Sequence, residues 1–151
     1  MKINQLSLFL ENKPGRLSSP CHVLAKAGVN ILTLSLADTR QFGIMRLIVR
    51  EWDKARDALA AAGMVVNVTE VVAVEVPDRP GGLAELLETI ENAALNIEYM
   101  YAFSFRNGDR AIIVFRFDEP DKAVAALQRS GVNVIGGVEL FGRADGQGTH
   151  A

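Results

Sequence analysis

Two short stretches hold the residues best suited to chemistry, LENKPGRL (Leu10 to Leu17) and VPDRPGGL (Val76 to Leu83). In each, a side chain that accepts hydrogen bonds, Asn12 or Asp78, stands two residues before Pro-Gly. A Pro near the first helical position costs no bond, because the first amides of a helix have no acceptor inside it. The amides of Gly15, Arg16 and Leu17, and of Gly81, Gly82 and Leu83, are then expected to point outward with the positive end of a helix dipole. That arrangement suits a carboxylate. Asn12 and Asp78 can each accept from an ammonium group. Asn30 and Asn96 open the next strand and are expected beside the turn. Together such a set could read both ends of a free α-amino acid. The residues alone leave a second reading open, since Asn and Asp ahead of a helix also serve as caps and Asx-turns.

Other candidates for chemistry are weaker. Cys21 and His22 are adjacent, and neighbours on a helix point about 100° apart. Cys21 falls on an apolar stripe and is expected in the core. With His150 near the C-terminus, the two histidines make no metal site. No catalytic residue, metal or cofactor is expected. Tyr99, Tyr101, Phe103 and Phe105 alternate along one segment, and Glu98 and Asp109 stand nearby. Tyr99 and Tyr101 are expected to form a protein interface, because aromatic surface beside acids suits a protein better than RNA.

The elements that must position these residues are written twice. An offset of 66 carries Pro14-Gly15 onto Pro80-Gly81, Leu17 onto Leu83 and Asn30-Ile31 onto Asn96-Ile97. From Asp53 the offset is 68, carrying Leu59 onto Leu127 and Gly63 onto Gly131; the extra residues fall near Arg106–Asp109. A regular repeat reports architecture directly. Each copy reads strand, helix, strand, strand, helix, strand. First helices are expected on the stripes Leu17, Cys21, Leu24, Gly28 and Leu83, Leu87, Ile90, Ala94. Second helices end at Gly63 and Gly131. The fold expected is α+β, two tandem ferredoxin-like βαββαβ units, each an antiparallel sheet with its helices on one face. The units are 1–67 and 68–141, with a flexible tail at 142–151. The face of each sheet away from its helices would remain bare, so the two copies are expected to pack together.

Composition narrows the function. Of 151 residues, 49% are hydrophobic and the net charge is -2, so no general attraction to nucleic acid is expected. One cysteine forms no internal disulfide. No stretch approaches the roughly 20 apolar residues of a membrane span, and a cytoplasmic location is the expectation.

The stretches ENKPGRL…AKAGVNI and DRPGGL…ENAALNI resemble the ACT domain, over residues 1 to about 141 as two units in tandem. The resemblance implies a non-catalytic, allosteric regulatory protein. It implies a free amino acid bound at an interface between units, through Asn12, Gly15, Arg16, Leu17 and Asn30 and through Asp78, Gly81, Gly82, Leu83 and Asn96. A homodimer is expected from the residues themselves, through the face that carries Tyr99 and Tyr101. The alternative is a regulatory subunit of an amino-acid biosynthetic enzyme such as acetolactate synthase. Leu10 and Val76 stand where serine-binding relatives carry a histidine, which argues against serine.

Overall fold

The computed structural model describes residues 1–38, 40–103 and 108–146. Phe105 and His150 lie outside them. The described residues form seven strands and five helices: β1 (Ile3–Glu11), α1 (Ser18–Lys26), β2 (Ile31–Asp38), β3 (Phe42–Val49), α2 (Trp52–Ala61), β4 (Val66–Pro77), α3 (Gly82–Asn92), β5 (Ile97–Ala102), β6 (Arg110–Phe117), α4 (Pro120–Arg129), β7 (Val134–Ile135) and α5 (Gly137–Gly146). The chain divides into two compact units, Asn4–Thr69 and Glu70 onward, the latter joined by Met1–Ile3. The division falls inside β4.

In the first unit the strands run in the order β2-β3-β1, all antiparallel. One face carries Leu6, Leu8, Met45, Leu47 and Val49, which pack with Leu24 of α1 and Ala55 and Leu59 of α2. Alternation along each strand puts Ser7, Phe9 and Ile44 on the opposite face.

In the second unit the order is β7-β4-β6-β5, again antiparallel. Val72, Val74, Val76, Ile113, Phe115 and Phe117 pack with Leu86 and Ile90 of α3 and Ala123 and Leu127 of α4. The offset of 68 already holds at β3, since Leu10 pairs with Gly43 and Val76 with Ala111. Lys2 ties the N-terminus into this unit through Glu70 at 2.8 Å and Asp121 at 2.9 Å.

Helix ends follow local rules, with corrections to the expected stripes. Gly63 and Gly131 adopt φ of +82° and +75°. The Met64 amide reaches the Leu59 carbonyl and the Gly63 amide that of Ala60, a Schellman closure that Gly131 and Val132 repeat. Gly28 and Ala94 are not on helical stripes. They occupy the same left-handed position after α1 and α3, with Ala94 at φ +52°. Leu17 precedes α1. That helix starts two residues later than α3 does at the matching position, because Pro20 replaces Leu86 and a proline is tolerated only within the first turn.

Two expectations change at the C-terminus. Residues 142–146, placed in a flexible tail, belong to α5. The second sheet's far face is also not bare. Glu75 projects from that face, and Arg143 of α5 holds it at 2.8 Å, with Leu140 fully buried. The helix is set by that tertiary contact; its Gly-rich sequence has little helical propensity of its own.

Candidate functional site

The two Pro-Gly stretches fold into the same turn. The Arg16 amide donates to the Lys13 carbonyl at 3.2 Å, and the Gly82 amide to that of Arg79 at 3.0 Å. Gly15 and Gly81 take φ of +83° and +87°. Pro at the second position, a positive-φ glycine at the third and closure onto the fourth describe a type II turn. The proline is therefore a turn former ahead of the helix, and the glycine is needed for its φ. The middle amides, of Arg16 and Gly82, are consumed by the turn. Those of Gly15 and Leu17, and of Gly81 and Leu83, have no acceptor among the described residues.

Around the first turn, the Asn12 amide donates to the Gln41 carbonyl at 3.0 Å, and its side chain is exposed without a hydrogen bond among the described residues. A cleft of about 100 Å³ opens there between Leu10, Asn12, Lys13, Leu17, Leu36 and Gly43. Glu11 accepts from Lys13 at 3.1 Å and lies 3.5 Å from Arg16. The Lys13 hydrogen bond, aided by the Lys13 and Arg16 charges, holds the Glu11 carboxyl below the usual range.

Around the second turn, the Asp78 amide donates to the Asp109 carbonyl at 2.8 Å, and the Asp78 side chain is exposed. Arg79 grips both oxygens of Glu85 at 2.8 and 2.9 Å. Gly82 is pressed against the Pro77 carbonyl.

Asn30 and Asn96 are not beside the turns of their own units. Near the end of β1, Leu10 is level with Gly43 of β3, while Ile31 lies level with Val49 at the other end of that strand. The separation is about 20 Å at roughly 3.3 Å per residue. In the second unit Pro77 is level with Arg110 and Ile97 with Phe117. A helix running back between two parallel strands forces this: the chain leaves one end of the sheet and re-enters at the other.

The aromatic row is reshaped as well. A bulge between Ile97 and Tyr99 lets both Ile97 and Met100 face the helices. Tyr99 and Tyr101 sit half-buried opposite Arg116 and Val114, and Phe103 is buried. Cys21 packs at the edge of the first core, with His22 exposed beside it.

The ion cluster around Glu75 escaped the sequence reading. Burial would raise the Glu75 carboxyl; hydrogen bonds from Asn133 at 2.8 Å and from Arg143, with the Arg143 and Arg110 charges, outweigh it and leave it below the usual range. Arg143 also bonds Glu139, four residues earlier on α5. That spacing was the one signal available.

A family model described as an ACT domain pair matches residues 1–141. The chain is 40% identical to protein BT0572 from Bacteroides thetaiotaomicron, over 93% of this chain and 96% of that one, with a TM-score of 0.87. The regulatory subunit of aspartate kinase from Thermus thermophilus, in its ligand-free form, shares the fold at 16% identity. That match spans 83% of this chain and 91% of the subunit, with a TM-score of 0.60. Aspartate kinase from Synechocystis shares it at 20% identity over 89% of this chain and 26% of the enzyme, with a TM-score of 0.60. No curated protein matches.

Proposed function

The chain belongs to the ACT domain family, as a pair of such domains, and we propose that it is a regulatory protein that senses a free amino acid by binding. The observation carrying this reading is the duplicated type II turn, which leaves two open amides and a polar side chain at the end of each helix-bearing strand pair. The ligand carboxylate rests on the amides of Gly15 and Leu17 or of Gly81 and Leu83. Its ammonium is received by Asn12 or by Asp78.

Asn30 joins such a site from a second copy of the chain. β2 ends its sheet and exposes Leu34 and Leu36 by 46% and 47%, and an apolar free edge invites pairing. A second β2 laid antiparallel brings its Asn30 level with the first copy's turn. The same holds for Asn96 along β5, where Tyr99 and Tyr101 add aromatic surface. A ligand bridging two copies stabilises their pairing, and a partner such as a biosynthetic enzyme reads the change.

Thermal melting of the whole chain against the twenty amino acids tests this, because a ligand of the folded state raises the melting point. One amino acid is expected to do so, less in Asn12→Ala or Asp78→Ala. If none shifts it, or if the shift survives both substitutions together, the reading is wrong.

A further inference from the structure

The repeat that duplicates the turn also duplicates a second cleft, which the proposed amino-acid site does not use. In the first unit it measures about 300 Å³ and is lined by Phe9, Leu10, Arg16, Ser19, Met64 and Val65, with Glu11 at the rim. In the second unit the matching walls enclose about 230 Å³. There the offset replaces Phe9 by Glu75, Arg16 by Gly82, Ser19 by Glu85 and Val65 by Asn133. The backbone cleft is the same and its chemistry is opposite. We infer that the first unit's cleft binds a small carboxylic acid with an apolar tail and no ammonium group, in a cleft distinct from the one that Asn12 lines.

Three features select that class. Phe9 and Val65 are 59% and 73% exposed while lining a concavity, and covering large apolar side chains is favourable in proportion to the area removed from water. The volume stands at the lower end of ligand pockets, roughly 300–1,000 Å³. Charge then fixes the polar end. Glu11 is shared by Lys13 and Arg16, so the three leave one net positive charge at the rim. Arg16 contacts Glu11 only at 3.5 Å and can turn its guanidinium to an incoming carboxylate. The Ser19 hydroxyl, without a partner among the described residues, can donate beside it. An ammonium finds no free carboxylate, because Glu11 is already held by two cations.

Amide-resolved NMR titration of the full chain with 3-phenylpropionate and hexanoate tests the assignment, with hexylammonium and acetate as controls. The two apolar acids are expected to bind saturably in the millimolar range or tighter and to move the Phe9, Ser19 and Val65 amides. Arg16→Ala weakens them about tenfold or more, the scale of a hydrogen bond to a charged group. Phe9→Glu and Val65→Asn, which install the second unit's own residues, do the same. Arg16→Lys retains most of the binding. If Phe9→Glu fails to fold, Val65→Asn and Arg16→Ala decide the matter. Absence of saturable binding, equal binding of hexylammonium, or shifts clustered at Asn12 and Leu36 would each overturn it. The last result would move the acid to the turn site and leave the amino-acid reading to its own test.

Discussion

Replacing Gly82 by alanine makes the geometry of the second turn measurable. A Cβ there would stand 2.2 Å from the Pro77 carbonyl oxygen; Cβ atoms do not approach within 3.0 Å, so the two must part by at least 0.8 Å. Neither can yield cheaply. The Pro77 oxygen accepts from the Arg79 amide at 3.0 Å, and the Gly82 amide closes the turn onto Arg79. Overpacking of this kind costs about 1–3 kcal/mol. The helix preference for alanine, about 1 kcal/mol in an interior, returns only part of that at a first-turn position. The net loss expected is about 1.5 kcal/mol, or a melting temperature about 3–6 °C lower for a chain of this size. Circular dichroism melts of wild type and Gly82→Ala measure it. Arg16→Ala is the control, because the matching position in the first unit already carries a side chain in solvent and should change stability by less than about 0.5 kcal/mol. A Gly82→Ala protein melting at or above wild type would refute the argument.

Ala94 holds a left-handed conformation at φ +52°, so Ala94→Gly should stabilise the chain by about 0.5–1 kcal/mol in urea titration. Leu59 is fully buried between α2 and the first sheet, and Leu59→Ala should cost about 2–5 kcal/mol by the same assay. Arg143→Ala leaves the half-buried Glu75 without its cation. The expected loss is about 1–2 kcal/mol, between the values for exposed and buried pairs, with faster hydrogen exchange in α5. Glu75 has its carboxyl lowered in the folded state despite the opposing effect of burial. Its contribution is therefore present above the ordinary carboxylate range and is lost as pH falls through the lowered folded value. Urea midpoints across that window should fall less steeply in Glu75→Gln than in wild type.

The strands and helices of the repeat were legible because each is fixed by its own apolar spacing and by a glycine or proline at its end. β6 covers the apolar, β-branched run RAIIVFRF (Arg110–Phe117), and Gly63 and Gly131 close α2 and α4. Three things were not legible. The role of Pro14 and Pro80 as turn formers depends on which carbonyl the following amide meets, a choice that local sequence leaves open between turn and helix. The place of Asn30 depends on strand direction, which the order of elements does contain but which adjacency in sequence conceals. The helix α5 depends on Arg143 reaching Glu75, 68 residues away in the chain.

Setting the copies against each other separates what the fold requires from what each unit is free to vary. Leu6 and Val72, Leu8 and Val74, Leu24 and Ile90, Leu47 and Phe115, Ala55 and Ala123, and Leu59 and Leu127 occupy matching places, and every one is apolar and buried. These pairs differ in shape yet keep the core filled, as volume-tolerant packing allows. Phe9 and Glu75 also match, but one is an exposed aromatic and the other a carboxylate holding α5. A single position thus decides whether the strand end carries an exposed ring or a carboxylate tied to the chain's own C-terminal helix. Glu75 needs its cation, and only the second unit is followed by a helix that can supply one. The first unit runs on through β4 into the second, so an acid at position 9 would lack the counterpart of Arg143. The apolar lining of the first unit's cleft thus goes with a position that no C-terminal helix anchors.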